Sequence, residues 1–133
     1  MTSIAKMLPS ILITAAAAIA GCDAFAPERR DFVIRIDSIS TPSTVAGGAS
    51  FQMRFYGPVG PNTCHRFKEF RVTRTTEAVD ITVLGESVDG LCPQMPVALD
   101  GESLTIVAPV TGLLTVRIHQ PNGVVLTRII RVE

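Results

Sequence analysis

Cys64 and His65 are sequence neighbours, and a thiol beside an imidazole is the pairing from which a thiolate nucleophile is made. On an extended chain, however, neighbouring side chains point to opposite sides and cannot readily share a proton. His119 alternates with Ile118 and is expected to face water, and neither histidine has a partner at a zinc-ligand spacing. Asp89, Asp100 and Glu102 lie beside glycines, as turn residues do, without the spaced oxygen ligands of a dedicated calcium loop. No phosphate-binding glycine loop, GxSxG or HExxH occurs. The residues therefore point to a non-enzyme with no catalytic residue, no metal site and no cofactor. A small metal-dependent hydrolase is the least favoured reading.

Recognition is a better use for what remains. Pro58, Pro61 and Cys64 stiffen a stretch from Gly57 to Phe67, expected to be a loop, which runs into the basic residues Arg66, Lys68, Arg71 and Arg74. A stiff loop loses little entropy on docking. Pro58, Pro61, His65, Arg66, Lys68, Arg71 and Arg74 form the candidate contact surface; the plain alternative is a structural corner, which uses the same residue types. The basic run could face anionic headgroups or an acidic partner, or be an ordinary solvated strand face. Twelve basic residues against 12 acidic ones exclude a nucleic-acid binder of the wholesale electrostatic kind.

The segment 1–21 begins with Lys6 as its one charge, continues without charge from Met7 to Ala20, and closes on small residues before Cys22. That is the layout of a secretory signal. As a helix the apolar run would reach about 21 Å against a hydrocarbon core of ~30 Å, too short to span comfortably. Ile19-Ala20-Gly21-Cys22 resembles the lipobox of bacterial lipoproteins. The resemblance implies a diacylglyceryl group on the Cys22 thiol, cleavage before it and a palmitate-type acyl chain on the new amino terminus. The mature chain would then be exported and held to a bacterial cell membrane by lipid at Cys22, on the periplasmic side or the cell surface. The alternative is an ordinary secreted protein cut after Ala18 or Ala20.

Lipidation of Cys22 would leave two of the three cysteines, Cys64 and Cys92. In an oxidising compartment they are expected to pair as a disulfide; two free thiols or a metal pair are the alternatives. The 112 residues beyond Gly21 suffice for one compact domain.

Residues 22–30 read as a lipid-anchored tether and 31–133 as one domain. There the apolar positions recur with a period of two. Phe32, Ile34 and Ile36 alternate; Phe51, Met53 and Phe55 mark the clearest half-buried strand; Phe70 and Val72 are expected inward in a strand from Lys68 to Arg74. Val79, Ile81 and Val83 form a strand ended by Gly85, Asp100-Gly101 a turn, and Leu104, Ile106 and Ala108 the next strand. Leu114, Val116 and Ile118 precede a tight turn at Pro121-Asn122-Gly123, and Val124 to Val132 returns from it. About seven strands without an amphipathic helix predict an all-β antiparallel β-sandwich. With Thr111-Gly112 leading into Leu113 to His119 and the terminal hairpin, the succession resembles bacterial immunoglobulin-like domains. The expected function is a non-enzymatic binding module of the cell envelope, its partner an envelope protein; a stapled-loop protease inhibitor is the alternative.

Overall fold

The computed structural model describes residues 26–133. The expected signal segment 1–21, the lipobox-like Ile19-Ala20-Gly21-Cys22 and residues 22–25 of the expected tether lie outside the described residues. Among the described residues nine strands form: β1 (Arg29–Val33), β2 (Ser38–Ser40), β3 (Thr44–Val45), β4 (Ser50–Gly60), β5 (His65–Arg74), β6 (Ala78–Val88), β7 (Val97–Val107), β8 (Gly112–His119) and β9 (Val125–Val132). Among the described residues no α-helix forms, and no helix is long and apolar enough to cross a membrane. The all-β expectation is met, with two more strands than the sequence suggested. Both additions, β2 and β3, are too short to show a period.

β6 organises the larger, six-stranded sheet. Its one side pairs with β5, and its other side takes β1 on residues 84–88 and β8 on residues 78–82, followed outward by β9 and β3. The smaller sheet has the order β2-β4-β7. Most pairs are antiparallel as expected, but β6 with β8 and β3 with β9 are parallel. The two sheets share one core. Phe51, Met53, Phe55, Val59, Leu99 and Ile106 come from the smaller sheet, and Val79, Ile81, Val83, Leu114, Val116, Ile118 and Ile130 from the larger. The Phe55 and Phe70 rings meet across them at 5.1 Å. Two inward faces packed in this way make a β-sandwich-like fold.

Ile34 and Ile36 are buried as the alternation implies, but beyond β1, where the chain crosses from the larger sheet to the smaller. The Ile34 amide still donates to Val83 O at 2.8 Å, and the Asp37 amide donates to Tyr56 O at 2.8 Å. The crossing is held from outside the strands by Gln120, whose Oε1 accepts from the Ile36 amide at 2.9 Å.

Three expected breaks are strand interiors. β4 does not stop at Gly57: its alternation continues through buried Gly57 and Val59, and Pro58 sits beside a bulge, where a missing N–H costs no ladder bond. Gly85 does not end β6. The ring of Phe32 lies over it so closely that a Cβ would meet Phe32 Cζ at 2.6 Å. Asp100-Gly101 is not a turn but a bulge in β7, opposite Phe55 and Tyr56, with Gly101 at φ +87°.

The inward set of β5 also differs. Lys68 has no partner in the β5–β6 register, and this bulge lets Phe67 and Phe70, three positions apart, both face the core. Val72 follows on the same side as Phe70, as expected, but near the end of β5 it is left exposed. In β9, whose inward side two arginines obscured in the sequence, Ile130 and Val132 are the buried residues. The Asn-Gly turn joins β8 to β9 as expected, with φ +66° at Asn122 and +77° at Gly123.

Candidate functional site

With β4 running to Gly60 and β5 starting at His65, the stiff loop shrinks to the four residues Pro61–Cys64. Pro58 lies within β4 and Pro61 on the turn, both exposed. Asn62 organises the turn: its Oδ1 accepts from the Cys64 amide at 3.0 Å and lies 2.9 Å from His65 Nδ1. The His65 ring also stands edge-on to Phe32 at 5.9 Å. These contacts give His65 a packing role in the corner.

Cys64 and Cys92 stand at disulfide distance, their Cα atoms 5.6 Å apart. They tie the Pro61–Cys64 turn to the connection between β6 and β7, residues 89–96. The same two segments are joined by the Thr63 amide donating to Pro93 O at 3.2 Å, and Cys64 O accepts from the Val88 amide at 3.0 Å. The stapled segment with freedom to project is therefore 89–96 rather than 57–67. Leu91 is fully exposed there at 106%, and Met95 is 64% exposed. Composition gave no sign of this, since an apolar side chain in a loop reads as easily as a core residue.

The basic stretch is largely paired. Arg66 bonds Glu86, which Arg29 also reaches at 3.4 Å; Lys68 Nζ meets Asp31 Oδ2 at 2.7 Å; and Arg71 lies 3.8 Å from Glu69. The hydrogen bond to Asp31 raises the Lys68 ammonium above its ordinary value. Arg74 makes no ion pair among the described residues. The surface is thus a ladder of alternating charge rather than a cationic patch. It runs beside the open side of β5, which among the described residues pairs only with β6.

Farther along the same outer face lies a cluster that the sequence reading missed. Arg117 grips Asp80 with two bonds of 2.9 Å, Nε to Oδ1 and Nη2 to Oδ2, and His119 Nε2 lies 2.8 Å from Asp80 Oδ1. Hydrogen bonds from Arg117, then from His119, hold the Asp80 carboxyl at about 2, below its ordinary value. The parallel register of β6 and β8 sets Asp80 against Arg117 and Thr82 against His119. Asp80 and Arg117 are 37 positions apart in sequence. Their one signal was parity: each sits between core residues, Asp80 between Val79 and Ile81 and Arg117 between Val116 and Ile118. His119 is half-exposed, so it does face water, but it is not free.

Among the described residues no group of three or more His, Cys, Asp and Glu side chains is placed to hold a metal ion. No protein-family model, no curated protein and no solved structure matches the chain.

Proposed function

We propose that the protein is a lipid-anchored, non-enzymatic interaction module of the bacterial envelope, an immunoglobulin-like sandwich exported by the segment 1–21 and held to a membrane through acylated Cys22. The lipobox-like Ile19-Ala20-Gly21-Cys22 supports the anchor, and the run from Thr111-Gly112 into the terminal hairpin supports the immunoglobulin-like reading. The observation that carries the contact surface is β5. It is a ten-residue strand with one side unpaired among the described residues, flanked by Arg66, Lys68, Arg71 and Arg74 and by the corner of Pro58, Pro61 and His65. An open strand offers unpaired N–H and C=O groups to an incoming chain. The alternating charges beside it suit an envelope protein of mixed charge, and its bulge and cations oppose unselective pairing.

Crosslinking in intact cells followed by pulldown tests this, comparing the native protein with Cys22→Ala and with Arg71→Glu/Arg74→Glu. A single stoichiometric envelope protein, weakened by the charge reversal and by loss of the anchor, is the expected result. Recovery of the same partner from the charge-reversed protein would move the contact away from β5.

A stapled-loop protease inhibitor is the second reading, favoured by one observation: Leu91 projects fully into solvent beside bridged Cys92. It requires inhibition of a protease that Leu91→Gly abolishes, measured on a panel of envelope and external proteases.

A further inference from the structure

We propose that the stapled loop 89–96 is a membrane-seated tip: Leu91 and Met95 enter the bilayer interface beside the lipid anchor and fix the orientation of the domain, leaving β5 turned sideways. This rests on the reading of Cys22 as acylated.

Position is the first argument. The Asp89 amide donates to Glu28 O at 3.2 Å, and Arg29 pairs with Val88 at the end of β6, so the tether leaves the domain alongside this loop. Six residue steps separate Cys22 from Glu28, which at full extension is about 21 Å. The anchor therefore keeps this end of the sandwich near the lipid. Confinement of that kind turns even a weak contact into an effectively intramolecular one.

Chemistry is the second. The loop reads Asp-Gly-Leu-Cys-Pro-Gln-Met-Pro, with no lysine or arginine and one acid at its base. Its two large apolar side chains have no partner in the core. The staple, Pro93, Pro96 and the Met95 amide donating to Pro93 O at 2.9 Å fix the loop before it docks, so little ordering entropy is lost there.

Charge indicates which force seats it. Around the loop, Arg29, Arg30 and Arg66 face Glu28, Glu86 and Asp89, and the contacts Arg30–Glu28, Arg29–Glu86 and Arg66–Glu86 tie most of them together. A balanced rim gives no strong preference for anionic lipid. Seating is apolar and shallow, on the order of 5–10 Å below the headgroups as for other interfacial segments, and indifferent to salt.

The chain has no tryptophan, so Leu91→Trp makes a single reporter at a side chain that is fully exposed among the described residues. The lipidated protein is reconstituted in phosphatidylcholine vesicles whose acyl chains carry bromine at defined depths. The far end of the sandwich supplies the control: Leu113 is also exposed, but lies beyond the opposite end of β6, a strand of 11 residues, or roughly 35 Å. The indole of the Leu91→Trp protein is expected to emit blue-shifted and to be quenched by shallow bromines, in high salt as in low, whereas that of Leu113→Trp is not quenched. An unquenched indole in a Leu91→Trp protein whose intact mass carries the acyl increment overturns the tip and leaves the anchor standing. Equal quenching at both positions overturns the fixed orientation. A mass without acyl chains removes the anchor, and the tip with it.

Discussion

The centre of the sandwich and the end where β1 begins hold their shapes by different means. At the centre, Val79, Ile81 and Val83 of β6, Val116 and Ile118 of β8 and Phe55 of β4 are sealed from solvent and packed on one another. At the end where β1 begins, the Pro61–Cys64 turn and the 89–96 loop contribute no side chain to that core; the Cys64–Cys92 pair at disulfide distance, three prolines and a few backbone bonds hold them. Packing is cooperative and sets global stability. A covalent staple sets local shape even where there is little to pack. Leu91 and Met95 can therefore project there without being drawn from the core.

The comparison breaks first at Phe55. Phe55→Ala deletes a fully buried ring and its contact with Phe70, and should cost about 3–5 kcal/mol in chemical denaturation. A loss below about 1 kcal/mol would mean that packing does not dominate the centre. Replacing the staple by Cys64→Ser/Cys92→Ser should cost less, about 2–4 kcal/mol for a loop of this separation. Its signature should be local: cleavage by added protease between Asp89 and Pro96, with the protection of β6 and β8 amides retained. Uniform loss of amide protection would merge the two regions into one.

Gln120 links the regions. Its Oε1 accepts from the Ile36 amide where the chain crosses between sheets, and its buried Nε2 has no protein partner among the described residues. Gln120→Ala leaves the Ile36 amide buried without an acceptor and should cost about 1–3 kcal/mol. Hydrogen exchange at Ile36 should rise more than exchange at Ile81; equal rises would place Gln120 within the central packing instead.

Much of this division could be read in the chain, and the failures share causes. Strands with a clean period, such as Phe51-Met53-Phe55 and Leu114-Val116-Ile118, were evident because each buries one face. Asn122-Gly123 was evident because few other dipeptides supply two positive φ angles. Gly57, Gly85 and Gly101 misled because glycine marks a turn, a bulge and a close ring contact alike. Val72 misled because alternation sets the side a residue faces, not how much covers it: it shares a side with Phe70 but lies near the end of β5, exposed. The Asp80 cluster required the register between β6 and β8, and the exposure of Leu91 required knowing which segment the staple leaves projecting; neither is a local property of sequence.

The smallest expected effect concerns the outer face of the centre. Arg117 and His119 bond ionised Asp80, so folding lowers the carboxyl from the ordinary value of 3.8 to about 2. The unfolded chain then binds the proton more readily than the folded one. Stability from this cluster is complete above about pH 4 and disappears as pH falls through about 2. Since Arg117 and His119 are nearly half-exposed, the contribution should be of order 1 kcal/mol after screening. Comparing urea midpoints of the native protein and Asp80→Asn isolates it from the other carboxylates: the gap should be full at pH 5 and closed near pH 2. If it stays constant across that range, the cluster acts through shape rather than charge. If it greatly exceeds about 1 kcal/mol at pH 5, the centre depends on its charged outer face as well as on its packing, and the contrast with the end where β1 begins narrows.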